Sequence, residues 1–137
     1  MIANDLSKQQ ARLEASVSDV LAHARRLGAD QAEASASGGA GLSVTVRKQA
    51  TETLEYHRDQ GLSVTVYMGG RKGSASTSDM SPESLGETVA KACSLASYGA
   101  VDEAAGLADA ARMATAIPDL QLFHPWALSA EEAIKLA

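Results

Sequence analysis

The stretch Gly61-Leu62-Ser63-Val64-Thr65-Val66-Tyr67-Met68-Gly69-Gly70-Arg71-Lys72-Gly73-Ser74-Ala75-Ser76-Thr77-Ser78-Asp79 decides the fold. Leu62, Val64, Val66 and Met68 alternate with Ser63, Thr65 and Tyr67, which is the period of a half-buried strand. Gly69-Gly70 suits a two-residue primed turn, where positive φ is needed and glycine supplies it without steric cost. That turn pairs Met68 with Arg71, Val66 with Gly73 and Val64 with Ala75. Large residues on the core face then oppose Gly73 and Ala75, which leaves room for a helix to come close. The stretch has strong architecture and no catalytic chemistry: it holds no metal-ligand spacing, nucleophile–base pair or phosphate loop.

Toward the N-terminus the same alternation returns. Arg58-Asp59-Gln60-Gly61 reads as a turn, and a weaker strand spans about 52–57. Leu42, Val44 and Val46 alternate with Ser43, Thr45 and Arg47. Gly38-Gly39-Ala40-Gly41 reads as another turn, preceded by Ala32, Ala34 and Ala36 alternating with Glu33, Ser35 and Ser37. The spacing predicts a mostly antiparallel sheet of four to five strands over 31–78. Gly-Leu-Ser-Val-Thr-Val occurs at both 41–46 and 61–66, too few units for a solenoid, and reads as two strands meeting the same packing demand. The other face carries Ser43, Thr45, Ser63, Thr65, Ser74 and Ser76. It is flat, polar and nearly uncharged, so it is either solvated or laid against another domain or chain.

Helices flank the sheet. Leu13, Val17, Val20, Leu21, Ala24 and Leu27 share one face of a helix expected over 8–27, ended by Gly28. Ser81 is a good N-cap and Pro82 sits at N1 of a second helix, expected over 81–98 on the same face of the sheet. Leu85, Val89, Ala92, Cys93 and Ala96 form its apolar side. Residues 100–128 read as irregular, with Gly106, Pro118 and Pro125 as breaks, yet Leu107, Met113, Ile117, Leu120, Leu122, Phe123 and Trp126 lie there. A segment that apolar is expected to wrap a surface as an apron. Ser129-Ala-Glu-Glu132 is a capping box opening a third helix over 129–137, of two turns only. The expectation is one α+β domain over 1–137, the N-terminal piece of something longer, with its third helix truncated.

Composition narrows the function classes. With 137 residues and 45% hydrophobic content the chain can bury a real core. A net charge of −5 argues against nucleic acid as main partner, since Arg25-Arg26, Arg47-Lys48 and Arg71-Lys72 are isolated pairs. The lone Cys93 has no partner for an internal disulfide and fits a reducing cytoplasm. No apolar run approaches membrane-spanning length.

The candidate chemistry is sparse. His23, His57 and His124 are each isolated, and no HExxH-like spacing exists. Cys93 reads as a small core residue. Gly69-Gly70-Arg71-Lys72-Gly73-Ser74 lacks the Walker spacing and joins strand to strand, so no helix dipole points at it. Asp102, Glu103 and Asp109 fall short of an EF-hand ligand set. No catalytic, metal or cofactor-binding residue is assigned.

Arg71-Lys72-Gly73-Ser74-Ala75-Ser76-Thr77-Ser78-Asp79-Met80-Ser81-Pro82 resembles a signature of the PmbA/TldE family. So do Ala105-Gly106-Leu107-Ala108-Asp109 and Asp119-Leu120-Gln121-Leu122-Phe123-His124-Pro125-Trp126, with their lead into Ser129–Ala133. The resemblance runs from about Leu13 to Ala137. It implies a subunit that pairs with a TldD-like protein in a cytoplasmic peptidase complex. Such complexes are linked to cleavage of unfolded peptides, maturation of a peptide antibiotic and, historically, modulation of DNA gyrase. It implies that zinc belongs to the TldD-like partner, in a region beyond anything matched here. On that resemblance Gly69, Gly70, Arg71, Lys72, Gly73, Ser81 and Pro82 are a structural signature. Leu107, Met113, Phe123 and Trp126 are expected at an interface with the partner, with the remainder of the subunit, or between two copies of this chain. Scaffolding is the expected role; the rival expectation is an autonomous small-molecule or peptide-binding module without catalysis.

Overall fold

The computed structural model describes residues 2–124 and 126–137, with side chains from residue 7 onward. Helix α1 (Ile2–Arg26) leads into strands β1 (Gln31–Arg47), β2 (Ala50–Met68) and β3 (Arg71–Thr77). Helix α2 (Pro82–Tyr98), a 3-10 turn at Ala110–Arg112 and helix α3 (Ala130–Leu136) complete the chain. The strands form one antiparallel sheet in the order β1-β2-β3. The architecture is α+β with both long helices on one face, as the periodicity predicts. Pro125, an expected break, lies outside the described residues.

The strand count differs from expectation. Three strands replace the expected four to five, because neither expected turn forms. Gly38, Gly39 and Gly41 stay inside β1, and Arg58-Asp59-Gln60-Gly61 stay inside β2. The pairing passes through both without interruption: Gly38 faces Gln60, Gly39 faces Asp59 and Gly41 faces His57. None of these glycines has positive φ. Paired chain across the gap satisfies every inner backbone group of both segments, which two separate turns would not do. The real reversal is at Lys48-Gln49, whose φ of 52° and 64° are those of a primed turn without glycine.

β3 pairs only with β2 from Leu62 to Met68. The far half of the β1–β2 hairpin is therefore a two-stranded arm that β3 does not reach. The two Gly-Leu-Ser-Val-Thr-Val segments sit at opposite ends of this hairpin, since Gly41 pairs with His57 but Gly61 with Ser37. Ser43 lies eight residues along β1 from Ser35, about 26 Å at ordinary strand rise, so the polar face is two patches and not one.

The core joins α1, α2 and the near half of the sheet. Val20 and Ala24 of α1 meet Leu62, Val64 and Val66 of β2 and Leu85, Val89, Ala92 and Ala96 of α2. Small residues on the helices and on β1 and β3 let these layers approach closely, as a chain this poor in aromatics requires. α1 closes in a Schellman motif: Gly28 has φ 90°, its N–H donates to Arg25 O, and Ala29 N–H donates to Ala24 O. The helix begins at Ile2, six residues before the expected start, and Leu27, assigned to its buried face, is exposed at the cap. α2 starts where the N-cap predicts, with Ser84 N–H donating to Ser81 Oγ and Pro82 at N1.

Candidate functional site

The hairpin turn at Gly69-Gly70 is a junction. Both glycines have positive φ. Gly69 N–H donates to Asp30 Oδ2 at 2.7 Å, tying the turn to the loop after α1. Asp102 N–H donates to Gly70 O at 2.7 Å, tying it to the segment after α2. Arg71 and Lys72 open β3 beside it, and Gly73 faces Val66 at the closest sheet–helix contact. A Cβ at Gly73 would overlap the Ala92 carbonyl oxygen and crowd Ala96. Ser81 and Pro82 start the helix that makes this contact. Gly69, Gly70, Gly73, Ser81 and Pro82 thus act through backbone geometry and capping, while Arg71 and Lys72 are placed at the start of β3.

On the helix-free face of the sheet, hydroxyls pair across strands. Ser35 Oγ and Ser63 Oγ are 2.8 Å apart, and Thr65 Oγ1 and Ser74 Oγ are 2.9 Å apart. Their hydrogen-bonding capacity is partly used within the face, so covering it costs less than covering free hydroxyls. At one end Tyr67 is only 8% exposed, although it stands on the polar side. Its O–H donates to Glu33 Oε1 at 3.1 Å. Burial, then the hydrogen bond and negative charge of Glu33, push the phenol pKa up. Leu107 N–H donates to the side-chain oxygen of Gln31, the cross-strand neighbour of Tyr67, so the 100–107 segment crosses the sheet end there.

Beyond that crossing the apron is bare. Leu107 is half-buried, whereas Met113 and Phe123 are exposed and Trp126 is 75% exposed. Ile117 at 92% and Leu122 at 82% are nearly free of contacts. α3 packs against β1. Its capping box is complete: Ser129 N–H donates to Glu132 Oε2, and Glu132 N–H donates to Ser129 Oγ. Hydrogen bonds from the Ser129 backbone and then its side chain hold the Glu132 carboxyl below its ordinary pKa.

The titratable groups are scattered. His23 is half-buried against Gly86 of α2, His57 folds across Gly41, and His124 is exposed on the apron. Cys93 is half-buried, and desolvation raises its thiol pKa. Among the described residues no three His, Cys, Asp or Glu side chains gather where they could hold a metal ion. No helix among them is long and apolar enough to cross a membrane. Sequence reading missed the arm and the contact of the buried Tyr67 with the exposed Glu33. The arm left a readable trace: apolar residues keep even numbers through Gly38–Gly41 and through Arg58–Gly61 without a change of phase.

Residues 32–96, the sheet and α2, match the family described as PmbA/TldA metallopeptidase domain 1. The chain is 40% identical over 136 residues to a metalloprotease PmbA from Escherichia coli, covering 99% of this chain and 30% of that protein. It is 39% identical over 132 residues to a metalloprotease PmbA homologue from Haemophilus influenzae, covering 96% of this chain and 29% of that one. The chain thus spans less than a third of the length of these curated relatives. A crystal structure from Bacteroides thetaiotaomicron, named as a modulator of DNA gyrase, superposes with a TM-score of 0.69 at 26% identity, covering 77% of this chain and 24% of that one. TldE from Thermococcus kodakarensis shares the fold, with a TM-score of 0.58 at 15% identity over 64% of this chain and 20% of its own. The chain belongs to the PmbA/TldE family, a TldD/TldE-type peptidase family, and corresponds to its N-terminal domain.

Proposed function

From that membership we propose that this domain is the assembly scaffold of a PmbA/TldE-like subunit in a TldD/TldE-type metallopeptidase complex acting on unfolded peptides. The observation that carries the reading is the apron, where Ile117, Leu120, Leu122 and Trp126 are left bare within ten residues of sequence. Exposed apolar residues on this scale mark a surface that another polypeptide covers. This favours a scaffold over an autonomous binding module. Leu107, Met113, Phe123 and Trp126 form the interface, with the TldD-like subunit and with the remainder of a longer subunit as its covering partners. In their absence two copies of this chain use the same residues to pair. Zinc and catalysis belong to the TldD-like partner, and the complex works in the cytoplasm.

The test is sedimentation of the purified chain with a purified TldD-like subunit from the same source. A joint boundary is expected, lost when Met113, Phe123 and Trp126 are all changed to Glu. Separate boundaries at the highest attainable concentration would refute the scaffold reading.

A further inference from the structure

A second surface lies between α1 and the arm. Lys8, Arg12 and Leu13 of α1, Arg58 and Asp59 of β2, and Met80 before α2 line a cleft of about 470 Å³. Lys8, Arg12 and Arg58 bring three cations to it, in a chain whose net charge is −5, while the alternation of β2 turns the Asp59 side chain to the opposite face. Among the described residues none of the three cations makes an ion pair, and the one ion pair is Arg47–Glu52, at the tip of the arm.

The cleft follows from the strand pattern. Gln60 pairs with Gly38, and Gly38 faces Gln9 and Leu13 of α1, so Gln60 and Arg58 stand on the helix side of the sheet. They interrupt an apolar row that has Leu62, Val64 and Val66 on one side and Tyr56 and Leu54 on the other. One cation, Arg58, and the neutral Gln60 replace apolar residues where α1 carries Lys8 and Arg12 overhead. Beside them, β3 ends at Thr77 opposite Leu62, so from Gly61 back to Ala50 the edge of β2 away from β1 has no partner strand.

We infer that this cleft binds an extended acidic segment of another polypeptide, its carboxylates held by Lys8, Arg12 and Arg58 and its backbone lying along the free edge of β2. Charge complementarity selects the acidic segment. The open strand edge selects polypeptide over phosphate: the lining residues come from a helix interior, a strand and a loop, and supply no glycine-loop or helix-terminus amides of the kind that cradle phosphates. Leu13 and Met80 give alternate side chains of the segment an apolar floor. The inference rests on the assembly reading only in taking the segment from another chain.

A fluorescein-labelled peptide of alternating Glu and Val, titrated with the 137-residue chain and followed by anisotropy, tests it. Saturable binding that weakens as salt is raised is expected, with no binding of the matching Lys–Val peptide. Arg12→Glu with Arg58→Glu is expected to weaken binding at least roughly tenfold, and Lys91→Glu, on exposed α2 surface, to leave it unchanged. Equal binding by the double variant, salt-independent binding, or no binding at low salt would overturn the inference. So would displacement of the peptide by an equal concentration of inorganic pyrophosphate. Peptide binding is read without any TldD-like subunit, so this inference and the scaffold reading fail separately.

Discussion

Replacing Gly73 with alanine tests the close approach of α2 to β3, and the sign of the effect decides it. A Cβ there would overlap the Ala92 carbonyl oxygen and lie 2.5 Å from the Ala96 amide nitrogen and 3.0 Å from its Cα. These are helix backbone atoms, so no rotamer change relieves them and α2 must move off β3. A radial gap of about 0.5–1 Å forfeits a quarter to a half of each dispersion contact it opens. The contacts at stake include Val66, Val89, Ala92 and Ala96, all fully buried. Overpacking of this kind costs about 1–3 kcal/mol, and the meeting of two backbone groups puts Gly73 at the upper end. Removing a strand glycine returns about 0.5–1 kcal/mol by restricting the unfolded chain. The net expectation is a loss of about 2 kcal/mol. Gly39 is the internal control, because a Cβ there meets nothing within 4 Å. Gly39→Ala keeps only the gain of about 0.5–1 kcal/mol. With a urea slope of about 1–3 kcal/mol/M, the Gly73→Ala midpoint falls by roughly 1 M and the Gly39→Ala midpoint rises by a few tenths. A Gly73→Ala midpoint equal to or above that of the parent, at unchanged slope, would refute the register and the approach of α2.

Two further outcomes are expected. The folded pKa of Tyr67 is raised. Its neutral form is therefore favoured by folding, and the stability it contributes is complete below the unfolded value of about 10 and lost as pH rises through the folded one. Tyr67→Phe is expected to flatten the fall in stability above that pH, and an identical alkaline slope in both proteins would contradict the burial of Tyr67 against Glu33. At the tip of the arm, Gln49 holds a φ of 64°. Gln49→Gly relieves left-handed strain of about 1 kcal/mol, partly offset by added freedom in the unfolded chain. Amide exchange at Thr45 and Thr53 is expected to slow while the global urea midpoint stays put; faster exchange there would show that the reversal lies elsewhere.

Much of the frame was legible before any coordinates. The Gly69-Gly70 turn, the pairing of Val66 with Gly73 and the Ser81-Pro82 helix start each depend on a few adjacent residues, and local chemistry of that kind is written in order along the chain. The family, too, was readable from the motifs around 71–82 and 105–126. The expected interface residues lie on the apron, but which neighbour covers them is not a local property.

What the tertiary structure decided depends on residues far apart. Gly38–Gly41 and Arg58–Gly61 have turn composition, and either segment alone would turn. They remain extended because each supplies the other with hydrogen-bond partners across 20 or so residues of sequence, and unpaired backbone costs more than local turn preference returns. The same long pairing places the reversal on Lys48-Gln49, which carries no turn signature. It also carries Arg58 under Lys8 and Arg12 and stops β3 short of the arm, so that a cationic cleft forms beside an open strand edge. Periodicity along the chain determined which face each residue shows; only the pairing of distant segments determined what that face meets.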